Sequence, residues 1–118
     1  MRVNAKRFSD EVARAMGRLP KFLKDAANTA GVAVLTDDRP PRHPGDQPDD
    51  ALFAEFIGPT SLEFASGDSP HPPTVVLYRS TFESECDNIA DFREELYRTL
   101  IHELGHFLGF DEDKLADV

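Results

Sequence analysis

The spacing of apolar positions changes along the chain, and the changes delimit its elements. Phe8, Val12, Ala15, Met16 and Leu19 recur three or four residues apart among charged neighbours, which predicts an amphipathic helix. Ser9, ahead of Asp10 and Glu11, is a candidate N-cap, and the two acids suit the positive end of the helix dipole. Pro20 ends this helix or begins another, and Phe22, Leu23, Ala26 and Ala27 form a second short stripe that Gly31 stops. Val32 to Leu35 is an apolar run of strand length. Leu52, Phe53, Phe56 and Ile57, closed by Gly58-Pro59, predict a second strand, and Thr74 to Tyr78 a third. The third is apolar on both faces and is expected to be covered on both. Pro40, Pro41, Pro44 and Pro48 mark one loop between strands, and the stretch from Pro59 to Pro73 marks another.

From Asp87 the helical period returns. Ile89, Phe92, Leu96, Leu100, Leu104 and Phe107 predict the longest element, running from Asp87 to Leu108, with Asp87 or Ser84 as its cap. Its first half turns Asp91, Arg93, Glu94 and Glu95 outward. From Leu100 to Leu108 apolar residues spread around the helix, leaving His102, Glu103 and His106 as the ionisable exceptions in a half-buried segment. The elements together predict an α+β fold of residues 1–118. Two N-terminal helices and the Asp87–Leu108 helix pack on a small mixed sheet of three or four strands, with the ionisable cluster at the C-terminal end of the last long helix.

Composition narrows the function. A chain of 118 residues, 40% apolar with nine Phe and no Trp, suits one compact domain that folds without disulfide or metal staples, so a bound metal is expected to be functional. A formal charge of −9 argues against nucleic acid and anionic membrane as main partners. That charge is unevenly placed, because residues 1–24 carry seven basic side chains against two acidic ones. Cys86 is the single cysteine, the start lacks a signal-peptide apolar run and no stretch is long enough to span a membrane. A reduced, soluble, cytoplasmic protein is expected, monomeric or homodimeric. Cys86 has no local basic cluster and is read as inert, and His43 and His71 as surface residues of proline-rich loops.

The remaining cluster carries the chemistry. His102-Glu103-Leu104-Gly105-His106 is an HExxH pattern. In a helix its two histidines lie about 40° apart around the axis and about 6 Å apart along it, so both imidazoles can reach one metal ion. Glu103 sits about 100° from His102, beside the ligand pair, in the position of a general base. Gly109 is placed to end the helix in a positive-φ conformation, and the chain can then turn an acid of Asp111-Glu112-Asp113 back toward the histidines. Two imidazoles and one carboxylate leave Zn²⁺ an open position, the arrangement of a catalytic site. The bland alternative, two core histidines bonded to carbonyls, would bury two imidazoles beside a carboxylate at considerable cost.

On these residues the chain resembles the small bacterial zincin-like metallopeptidases, or mini-zincins, whose pattern HExxHxxGxx[DE] stands here as His102-Glu103-Leu104-Gly105-His106-Phe107-Leu108-Gly109-Phe110-Asp111-Glu112. The resemblance implies a minimal zincin-like fold, His102 and His106 as zinc ligands, Glu103 as catalytic base and Glu112 as third ligand. Zincins more often have Asp at that last position, and Asp111 and Asp113 flank it as alternatives. The chain departs from the larger metzincins in having no methionine turn after the third ligand, since its methionines are Met1 and Met16.

The expected activity is hydrolysis of a peptide or protein substrate lying along a sheet edge, with Glu103 as base and Zn²⁺ as cofactor. Two alternatives stand beside it. One is a zincin-fold metal-binding or interaction module without turnover. The other is a metal-dependent hydrolase of another substrate such as RNA, which would require a basic groove that Lys6, Arg7, Arg14, Arg18, Lys21 and Lys24 could supply only if their helix borders His102.

Overall fold

The computed structural model describes residues 1–41, 51–58 and 72–116. His43, His71 and most of the two proline-rich loops lie outside the described residues.

Helix α1 spans Ala5–Arg18 and buries Phe8, Glu11, Val12 and Ala15. Its N-cap is Asn4, whose side chain accepts a hydrogen bond from Arg7 N at 2.8 Å. Ser9 is therefore not the cap. It lies inside the helix with its hydroxyl 3.4 Å from that of Thr36, because a capping oxygen one turn earlier had already satisfied the free amides. Helix α2, Lys21–Ala30, starts at Pro20 and ends at Gly31, which takes φ 71°. Gly31 N donates to Asn28 O and Val32 N to Ala27 O, a glycine-ended turn that sends the chain straight into strand β1, Ala33–Asp37.

Strand β2 is Ala54–Ile57 and β3 is Thr74–Tyr78. The sheet order is β1-β3-β2, with β1 parallel and β2 antiparallel to β3. Register puts Val34 and Phe56 beside Val75, and Ala54 beside Leu77, on the face that packs against the helices. Val75 and Leu77 are fully buried there. On the other face Val76 is only half-buried between Leu35 and Glu55, and Leu35 and Ile57 are 55% and 49% exposed. The expectation that β3 is covered on both faces thus holds completely for one face among the described residues.

A short helix, α3 at Arg79–Glu85, follows β3 directly, where the apolar pattern predicts none. It contains Ser84, so the cap of the long helix falls to Asn88, which accepts from Asp91 N at 2.9 Å. That helix, α4, runs Ile89–Phe107 through the middle of the molecule, touching α1, α2, α3 and β2. Phe92, Leu96, Leu100 and Leu104 along it are fully buried. Phe82 joins Phe8, Phe53 and Phe92 in one aromatic cluster, with ring centroids 4.9 to 6.0 Å apart. The last element, α5, is Glu112–Ala116. Cys86 is buried, and burial pushes its thiol pKa up, which disfavours a nucleophilic thiolate as the sequence implied.

One ion pair ties α1 to α4. Glu11 accepts two hydrogen bonds from Arg93, at 3.0 and 2.9 Å. The hydrogen bond from Arg93 holds the Glu11 carboxyl below its ordinary 4.5, against the upward pull of burial. Folding lowers this pKa, so the pair's contribution to stability is fully present above about pH 4.5 and is lost as pH falls through the lower folded value. Glu11→Gln is expected to lower the melting temperature at neutral pH and to flatten its fall on acidification. Melts of both proteins across about pH 3 to 7 check this, and an unchanged acid limb would refute it.

Candidate metal centre

The site begins with the end of α4. Phe110 N donates to Gly105 O at 2.9 Å and Gly109 N to His106 O at 3.2 Å, with Gly109 at φ 85°. These two bonds and the positive φ satisfy the last carbonyls and turn the chain back on itself. Phe110 then packs edge-on against Phe22 of α2, with centroids 4.9 Å apart. Asp111 becomes the cap of α5, accepting from Lys114 N at 2.9 Å, while Lys114 Nζ lies 4.5 Å from the Phe22 ring centroid. Leu115, on the buried side of α5, is pressed against Gly105 in the middle of the HExxH segment.

These contacts aim Glu112 at the histidines. Its Oε1 is 2.5 Å from His106 Nε2, and its Oε2 is 3.9 Å from His102 Nδ1. The two imidazole rings are 5.6 Å apart between centroids. Among the described residues, His102, His106 and Glu112 form a group whose donor atoms all lie within 4.8 Å of one another, as a shared metal ion requires. Asp111 is engaged as a cap instead, and Asp113 is not in the group.

Glu103 flanks the pair, half-buried. Burial pushes its carboxyl above the ordinary 4.5, while the neighbouring His106 and His102 oppose the shift. A carboxyl with raised proton affinity is suited to taking a proton and giving it back.

Two features of the site were missed in the sequence. Gly105 reads there only as an unspecified position of HExxH, although a Cβ at that place would meet Leu115 Cδ2 at 2.5 Å. Phe56 of β2 stacks on Phe107, ring centroids 4.6 Å apart, which sets the edge strand beside the end of the helix that bears His106. Neither contact has a local signal, since each joins two separate elements and depends on how they pack.

A family model described as zincin-like metallopeptidase matches residues 29–118. The chain belongs to the zincin-like metallopeptidase family. Membership implies a metal, typically zinc, and two imidazole nitrogens with a carboxylate oxygen are a donor set that zinc takes in catalytic sites. The residues therefore fit the ion that zincins hold. Among solved structures, the chain is similar to a conserved hypothetical protein from Thermo thermophilus. The two share 22% identity at a TM-score of 0.63 over 97% of this chain and 98% of that one, a likeness in fold alone. No curated protein matches. In this zincin-like chain α1 and most of α2 precede the matched residues, and no helix among the described residues is long and apolar enough to cross a membrane.

Proposed function

We propose that the chain, as a single domain, is a zinc-dependent peptidase in which His102, His106 and Glu112 hold the ion and Glu103 is the general base. The observation that carries this reading is the convergence of the three donors beside a half-buried Glu103 on a zincin-like helix. Zinc, when bound, would acidify water and polarise a substrate carbonyl.

Glu103 takes the proton from the attacking water and delivers it to the departing amine. Strand β2 orients the substrate. It pairs with β3 along one edge and, among the described residues, with no strand along the other. An extended peptide can hydrogen-bond along that free edge, and the Phe56–Phe107 stack keeps the edge beside the metal centre. The metal motif and the strand edge together favour a peptide over other substrates.

Elemental analysis and competition titration of the full chain are expected to show one zinc bound per chain. Glu112→Ala should weaken zinc by more than about 100-fold, whereas Asp111→Asn should change it by less than about threefold, since outer-shell partners alone are worth 10–100-fold and Asn still caps a helix. A chain that binds no zinc overturns the proposal. A zinc-loaded chain inert toward broad peptide libraries would instead support a binding module without turnover.

A further inference from the structure

A groove of about 540 Å³ runs along α4 and includes His102 of the donor group in its lining. Glu94, Arg98 and His102, spaced four residues apart, form one side with Tyr97 and Arg93 beside them, and Arg18 at the end of α1 faces them. Three arginines in one groove are an exception in a chain of net charge −9.

Their engagements differ. Arg93 is committed to Glu11 by two hydrogen bonds. Arg98 is paired at 2.7 Å with Glu94, but both side chains are exposed, so the pair is weak and a substrate carboxylate can exchange into it. Arg18 has no carboxylate partner among the described residues. Its guanidinium carbon lies 5.1 Å from the centroid of the Tyr97 ring. A guanidinium held by its face keeps its in-plane N–H groups available for a carboxylate.

We propose that this groove binds acidic polypeptide segments, with Arg18 and Arg98 as the specificity-determining residues. The proposal rests on the peptidase reading and names its substrate class. Tyr97 precedes His102 by five residues, about 7.5 Å along the helix axis. An extended chain advances about 3.3 Å per residue, so a substrate that leaves the β2 edge at the metal centre and continues into the groove would set a carboxylate on Arg18 two or three residues from the scissile bond. The long-range field of an acidic protein opposes an acidic substrate, so recognition depends on short, directional bonds, for which arginine is better built than lysine. The same field opposes RNA more strongly, because RNA carries a charge on every nucleotide while the groove offers, among the described residues, Arg18 and the exchangeable Arg98. Arg18 lies at the end of α1, ahead of residue 29, where the family match begins.

The test uses the full chain carrying Glu103→Gln, so that bound peptide stays intact, and fluorescence anisotropy with three labelled probes. These are a decapeptide bearing two Glu, the same peptide with Gln at both positions, and a ten-nucleotide single-stranded RNA. The acidic peptide is expected to bind about tenfold more tightly than its Gln counterpart, the worth of one or two charge-assisted bonds. Arg18→Gln should remove most of that difference, Arg18→Lys part of it, and Arg98→Gln some of it. Arg7→Gln, an equal charge change on α1 outside the groove, should leave it intact. Equal affinity for the two peptides, an equal loss in Arg7→Gln, or RNA binding tighter than the acidic peptide with the same Arg18 dependence would each overturn the proposal. Absence of zinc or of hydrolysis would sink the peptidase reading without altering these binding differences. Hydrolysis with no preference for acidic segments would sink the groove proposal alone.

Discussion

Replacing Glu103 with Gln is expected to lower kcat/KM on a cleavable peptide by about 10²- to 10⁴-fold, the usual worth of a positioned general base. The amide keeps the size of the side chain and removes only its ability to take a proton. Glu103 is outside the His102, His106 and Glu112 donor group, so zinc content and affinity should stay near the parent values. That separation makes the variant informative. A fall in activity accompanied by loss of zinc would mean that Glu103 holds the site together, and full activity with full zinc would remove it from the reaction. Comparing kinetics with zinc stoichiometry on one preparation distinguishes these results.

Gly105→Ala is expected to weaken zinc binding by about 10- to 100-fold, as loss of outer-shell support for a ligand does. The added Cβ would stand 2.5 and 2.7 Å from the two Leu115 methyls and 3.1 Å from Leu115 Cγ. Leu115 is buried over Gly105, so its side chain must move, and we expect part of that displacement to pass to α5 and to Glu112 on it. Two energies compete in the fold itself. Alanine gains about 1 kcal/mol of helix propensity over glycine, whereas overpacking costs about 1 to 3 kcal/mol. Stability should therefore change modestly, while the metal site, sensitive to small displacements of one donor, changes much more. Leu115→Val in the Gly105→Ala background removes the clashing carbons and should restore most of the affinity. A double-mutant cycle read by zinc titration beside thermal melts checks this coupling. Additive effects would show that Gly105 and Leu115 do not act on Glu112 together.

How legible the fold was depended on how local each cause was. Helix α1, with Phe8, Val12, Ala15 and Leu19 inward, and β3 at Thr74–Tyr78 lay where the apolar period put them. Caps are less legible, since Ser9, Ser84 and Asp87 offer the same oxygen chemistry as the actual caps Asn4 and Asn88. Only the geometry of the incoming chain decided between them. Helix α3 has no signature in the sequence, because seven residues with only Thr81 and Phe82 buried carry too little periodicity.

The sequence by itself determined the two histidines, the glutamate between them and the glycine that ends their helix, because those relations are set by the pitch of one helix and the φ of one residue. Tertiary structure alone decided which of three consecutive acids turns to the histidines, through Phe110 on Phe22 and Leu115 on Gly105. It also decided that Arg18 lines a groove with His102. Both outcomes depend on contacts between separate elements, where packing of the core, and no local propensity, fixes the distance.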